Sequence, residues 1–214
     1  MRHRFTLAVL VSVVVTLGGC GSSSTKAPKS GAVLAPSERL LARLDVKIPA
    51  PPQLRVAPSF TLKDSLGRRV SLSQFRGKAV LLTFIYDHCP DVCPLIVADL
   101  HSALVRLGPA ASKLQVVAVS VDPKGDTPAT VKAFLAAHEM TGRMEYLIGS
   151  KKQLAPVWRE YGVQVEASPD QRENTVGHSA FVYGITGHGR TIVIYPSNLE
   201  PAWLVHDVPL LAGA

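Results

Sequence analysis

Two cysteines four residues apart carry the plainest chemistry of this chain, in Tyr86-Asp87-His88-Cys89-Pro90-Asp91-Val92-Cys93-Pro94. A continuous apolar run precedes them and a helical pattern follows, so they stand where a buried strand gives way to a helix. If the first helical turn takes in both, they share one face, with Cβ atoms roughly 6 Å apart. The free N–H groups of a helix start favour thiolates over thiols. A thiolate is both a nucleophile and a soft-metal ligand. The pair therefore admits metal binding, thiol–disulfide exchange or a plain structural disulfide. The last is the weakest, because a bridge over so short a loop constrains few residues. Cys20 is the third and last cysteine. Three exclude a disulfide-dense scaffold and a four-cysteine zinc site.

The elements that must position this pair follow from pattern. Phe60 to Leu72 reads as two short strands around the turn-rich Asp64-Ser65-Leu66-Gly67. Ala79 to Tyr86 and Leu114 to Val121 are apolar, β-rich runs, as expected of strands buried on both faces. Pro94 to Leu107 has helical spacing of Leu95, Ala98, Leu100, Leu104 and Leu107. Asp126-Thr127-Pro128 opens another helix, with Asp126 or Thr127 as cap and Pro128 in the first turn. A strand at Glu145 to Ile148, a helix at Lys151 to Tyr161 and a hairpin of His178 to Ile185 with Thr191 to Tyr195 follow. A final helix runs from Leu199 to Val208, closed by Pro209. This order predicts a thioredoxin-like α/β fold, a central mixed sheet flanked by helices, with an N-terminal strand extension.

Ahead of the domain the chain changes character. Met1-Arg2-His3-Arg4, the apolar run Phe5 to Leu17 and Gly18-Gly19-Cys20 read as a secretory signal peptide over residues 1–19. The apolar stretch is shorter than the roughly 20 residues of a membrane-spanning helix. Leu17-Gly18-Gly19-Cys20 resembles a bacterial lipobox, which makes Cys20 the lipidated first residue of the mature protein. Residues 20–57, rich in Ser, Gly, Pro and Lys near their start, read as a flexible tether with a short helical turn at Ser37 to Leu44. The domain then spans 58–214. The protein is expected outside the cytoplasm, held to the bacterial cell membrane by lipid. Of 214 residues, 23 are Lys or Arg and 16 Asp or Glu, for a net charge of +7. The basic residues are scattered without a stripe, which argues against nucleic acid as a partner.

Thr83 to Pro94, TFIYDHCPDVCP, resembles the signature of the Sco/SenC family of thioredoxin-like copper-handling proteins of cytochrome c oxidase assembly. Phe60-Thr61-Leu62, Phe75-Arg76-Gly77-Lys78, Ser120-Val121-Asp122-Pro123 with Asp126-Thr127-Pro128, Tyr161-Gly162-Val163 and Gly177-His178-Ser179 are similar to its other landmarks, in order. The resemblance implies that Cys89 and Cys93 bind one copper, Cu(I) or Cu(II), together with a distant histidine, here His178. It also implies delivery to an apo-cytochrome c oxidase subunit or another exported cuproprotein. Soft thiolates select Cu(I), and imidazole completes a site in either oxidation state. The chain departs from the family at Gly177, where an aspartate is usual, and at Gly184-Ile185-Thr186, where a carboxylate is usual. The first change removes a carboxylate that could orient the imidazole.

The alternative is thiol–disulfide exchange through Cys89 and Cys93, with Cys89 the attacking thiol. Tyr86 occupies the position where a peroxidase of this fold would carry Thr or Ser, which counts against peroxidase chemistry. His88 is expected to bond locally, and His101, His138, His188 and His206 to be structural or solvated. Trp158 and Trp203 are expected in the core. Asp91 stands where it could serve the free N–H groups of the helix start.

Overall fold

The computed structural model describes residues 35–167 and 176–214. Its elements, in chain order, are α1 (Pro36–Arg43), β1 (Thr61–Asp64), β2 (Arg69–Ser71), β3 (Ala79–Ile85), α2 (Val92–Leu107) and β4 (Leu114–Ser120). There follow α3 (Pro128–Ala137), β5 (Met144–Ile148), α4 (Lys151–Glu160), β6 (Val165–Ala167), β7 (Val176–His178), β8 (Val182–Ile185), β9 (Thr191–Tyr195) and α5 (Pro201–Ala212). The signal peptide and Cys20 lie outside the described residues.

Seven strands make one mixed sheet in the order β2-β1-β5-β4-β3-β8-β9. The central three, β3, β4 and β5, are parallel, while β1 and β8 flank them antiparallel. Every residue of β3 is buried, as its unbroken apolar run requires of a strand covered on both faces. α2 packs on α5, and Leu211 of α5 closes over Gly184 of β8. A Cβ on Gly184 would lie 2.5 Å from Val193 Cγ1 of β9 and 3.2 Å from Leu211 Cδ1 of α5, so the crowding of strand and helix side chains requires glycine there. Phe84 of β3 sits among the rings of Tyr161 and Tyr183, at 5.5 and 5.9 Å between centroids. Trp158 of α4 donates its indole N–H to Ser120 O at 2.9 Å, joining that helix to the end of β4. The stretch Val92–Lys113 has the length and apolarity of a membrane span, but Cys93, Ile96, Val97, Leu100, Ala103, Leu104 and Leu107 belong to the core.

Away from the cysteine loop, four features of the structure depart from the sequence expectations. Packing begins before Pro58: Leu44, Val46 and Leu54 are buried, and residues 48–50 bond to β9 through Ala50 N–H to Ile192 O and Ile194 N–H to Ile48 O. This segment covers what would otherwise be an open sheet edge. The final helix continues through Pro209 to Ala212, because Leu211 beyond the proline still has a core to pack against. The stretch His178 to Ile185 is not one strand. It breaks at Ser179–Phe181, leaving β8 in the main sheet and β7 in a separate antiparallel ribbon with β6. Trp203 is half-buried against the core rather than inside it, unlike Trp158.

Candidate metal centre

The cysteine loop hangs from the C-terminal end of β3. α2 starts at Val92, so Cys93 lies in its first turn while Cys89 stands ahead of it. The two therefore do not share a helical face. Cys89 Sγ instead reaches back over the helix start and accepts the Cys93 backbone N–H at 3.4 Å. Asp91, at the N-cap, makes no side-chain cap bond, so the sulfur serves a donor that an aspartate was expected to serve. Both cysteines are free thiols, Cys93 fully buried and Cys89 partly so.

His178 arrives from the ribbon, where it pairs with Val165 across the β6–β7 ladder. Its Nε2 lies 3.6 Å from Cys93 Sγ, and its Nδ1 lies 3.2 Å from Ser179 O. A carbonyl can only accept, so Nδ1 carries the proton and Nε2 keeps its lone pair, turned toward the Cys93 sulfur. Burial lowers the His178 pKa, partly offset by the Ser179 carbonyl and the Cys89 charge, so the ring is neutral near pH 7. Neutral imidazole is the form that binds metal. The contacts thus run Cys89 to Cys93 to His178, with Cys93 in the middle.

The pair is strongly asymmetric. The Cys93 S–H, then the backbone N–H groups of Asp91 and Cys93 and the Tyr86 hydroxyl, bring Cys89 down to about 5 against the cost of burial. Cys93 moves up, first because its proton is bonded to Cys89 and then because it is buried. One thiolate, one thiol and one neutral imidazole form a soft donor set of the kind that takes Cu(I). The residues present fit copper.

Two side chains outside the expected ligand set hold this arrangement. Asp126, 5% exposed, accepts the Asp87 N–H at 2.9 Å and the Tyr146 hydroxyl at 2.9 Å, pinning the cysteine loop to β5. Burial raises its carboxyl to about 7. Thr127, not Asp126, caps α3. Tyr86 sits against both His178 and Cys89. A hydroxyl-bearing ring directly after the buried strand β3 was the available signal for Tyr86. For Asp126 there was none beyond the cap pattern. His88 pairs with the buried Asp87 carboxylate, a local partner as expected. Elsewhere, Asp45, His206 and Asp207 bring ligand-type atoms within 4.8 Å of one another. Asp207 is already occupied there, by the Asp45 N–H, His206 Nδ1 and the Tyr195 hydroxyl.

Comparison with known proteins gives the family of the chain. The SCO1/SenC family model matches residues 49–212. The bovine mitochondrial SCO2 homologue is 34% identical over 134 residues, which are 61% of this chain and 50% of that protein. A SCO2-like protein of Rickettsia prowazekii is 26% identical over 64% of this chain and 68% of its own. This chain thus spans about half the length of the bovine relative. Among solved structures, Bradyrhizobium japonicum ScoI with copper bound superposes with a TM-score of 0.66 at 30% identity, covering 73% of this chain and 99% of that one. The residues that the family model matches include the sheet, the cysteine loop and the ribbon that brings His178. The chain belongs to the SCO1/SenC family.

Proposed function

We propose that this protein binds one copper ion through Cys89, Cys93 and His178 and passes it to an exported apo-protein, the dinuclear copper site of cytochrome c oxidase being the expected recipient. The observation that carries the reading is the 3.6 Å approach of His178 Nε2 to Cys93 Sγ, from an element of its own. An imidazole supplied by a separate ribbon ties metal binding to the folded state. Bound copper would be held by the two sulfurs and Nε2, with Ser179 O fixing the ring. Gly177 offers no side chain for that task, and the Ser179 carbonyl supplies an acceptor instead.

The proposal extends to the chain's N-terminus. Residues 1–19 are a signal peptide and Cys20 carries lipid, so that the domain works at the extracytoplasmic membrane face. Replacing Cys20 with Ala should release the protein or leave its signal uncleaved. Normal cleavage with unchanged membrane attachment would contradict the anchor.

A second reading, disulfide exchange, is favoured by the asymmetry of the pair. Cys89 as thiolate would attack a partner disulfide and expel one partner thiolate. The Cys93 thiol, giving up its proton, would then displace the second partner sulfur and close the Cys89–Cys93 bridge. Copper stoichiometry and disulfide-reductase activity, measured on wild type, Cys89→Ser, Cys93→Ser and His178→Ala, separate the two. Loss of either cysteine should abolish tight copper binding. His178→Ala should weaken retention by about tenfold or more while leaving exchange intact, the scale of removing one orienting or ligating group. Equal copper retention in His178→Ala removes the ligand assignment. Brisk reduction of disulfides by a wild type that holds no copper moves the function to exchange.

A further inference from the structure

Tyr86 follows the last residue of β3 and is 3% exposed. A buried phenol needs partners for its hydroxyl, and those partners show what it joins. Its oxygen accepts the backbone N–H of Val176 at 3.3 Å. Val176 opens β7, two residues ahead of His178. The Tyr86 ring meets the His178 imidazole edge to face, with 5.9 Å between centroids and 78° between planes. On the other side the Tyr86 carbonyl accepts the Cys89 N–H at 3.4 Å. The hydroxyl is also near enough to the Cys89 sulfur to help hold that thiol's pKa down. One lone pair is engaged by Val176, so the hydroxyl proton is available to an acceptor, and the acceptor beside it is that sulfur. A single side chain therefore touches the sulfur arm and the imidazole arm of the site.

We propose that Tyr86 is a positioning residue for the copper site: its hydroxyl accepts from Val176 and donates to Cys89 Sγ, holding the His178 ribbon and the cysteine loop in register. The inference rests on the copper reading above. Phenylalanine would fill the same space and stack on His178, but would make neither hydrogen bond. The donated bond also draws electron density from the sulfur, and hydrogen bonding at a copper thiolate tunes the metal. The hydroxyl thus has a mechanical role at Val176 and an electronic one at Cys89, and the two can be removed separately.

Tyr86→Phe removes both bonds and keeps the ring. Val176→Pro removes only the donor on the ribbon, at the first residue of a short strand where proline is tolerated. Three measurements on the purified protein decide. In the copper-free reduced state, amide exchange at Val176 should quicken by about tenfold in Tyr86→Phe, the equivalent of one net hydrogen bond. With Cu(II) bound, the sulfur-to-copper charge-transfer band should move to lower energy in Tyr86→Phe and stay in place in Val176→Pro. Copper release to a chelator should be about tenfold faster in both variants, on the same scale. A charge-transfer band that does not move in Tyr86→Phe, or Val176 exchange that does not change, overturns the inference. A wild type that takes up no copper overturns the copper reading instead, and the amide exchange still tests the tether.

Discussion

The proton of the cysteine pair resides on Cys93, and this fixes what metal binding must displace. Cys89 is a thiolate above about pH 5 because Cys93 and the helix-start N–H groups donate to it. His178 is already neutral near pH 7, with Nε2 unprotonated. Copper at pH 7 therefore has one proton to displace, that of Cys93, and binding should release about one proton per site rather than two. Calorimetry in buffers of different ionisation enthalpy counts it, and a release of two would place a second proton on Cys89. The same asymmetry predicts how the reduced, copper-free protein is alkylated. The thiolate fraction of Cys89 should fall as pH drops through about 5, where a free cysteine would already be protonated below about 8.5. Alkylation rates between pH 4 and 9 should follow that profile, with Cys93 silent because it is buried. A midpoint near 8 would mean that Cys93 does not donate to Cys89.

At the level of elements, the site is three pieces brought together: the loop after β3, the first turn of α2 and the β6–β7 ribbon. Asp126 is the peg of the first piece, since it joins Asp87 of the loop to Tyr146 of β5. Burial raises its folded pKa to about 7, above the unfolded value near 3.9. A group raised in this way lends stability below the unfolded pKa and loses it as pH climbs through the folded one. The stability of the copper-free protein should therefore carry a falling contribution between pH 4 and 7, and Asp126→Asn should flatten it. Urea unfolding across that range measures the slope, and an unchanged slope would show that Asp126 titrates normally. Asp126→Ala should in addition leave the Asp87 N–H without an acceptor, at about 1–3 kcal/mol, and the Tyr146 hydroxyl with only the Ile85 carbonyl at 3.4 Å.

How much of this was legible in the sequence follows from the range of each interaction. The strands β3 and β4 were plain, because their runs of Val, Leu, Ile, Phe and Ala, broken only by Thr83 and Gln115 before Ser120, read as buried strands. The cysteine pair was plain because its spacing is local. The ribbon was not, because β6 and β7 have three residues each and carry no period. His178 was therefore expected in the main sheet, while its true place is set by pairing with Val165. Asp126 and Tyr86 were hidden for the same reason. Their bonds span 39 and 90 residues of sequence. Only packing creates such contacts, so no local pattern announces them.

Across the whole molecule, the segment before β1 is built into the domain by a buried aspartate at the opposite end of the chain. Asp207 of α5 is fully buried and receives the Asp45 N–H at 2.7 Å, the Tyr195 hydroxyl at 2.9 Å and His206 Nδ1 at 2.8 Å. It ties the N-terminal segment, the edge strand β9 and the last helix at one point. Residues 48–50 then add backbone bonds along β9. The edge is thereby closed to pairing with other chains. Asp207→Ala leaves the Tyr195 hydroxyl and the Asp45 N–H unsatisfied, so it should cost roughly 2–4 kcal/mol of unfolding free energy. Asp207→Asn keeps one acceptor oxygen and should lose about half of that. The clamp shares no residue with Cys89, Cys93 or His178, so folded Asp207→Asn protein should hold copper as wild type does. Unfolding curves and copper stoichiometry on the same preparations test both halves. A stability loss below about 0.5 kcal/mol, the range of ordinary surface substitutions, would remove the clamp. Copper loss in a fully folded variant would instead show that the two ends of the molecule are coupled.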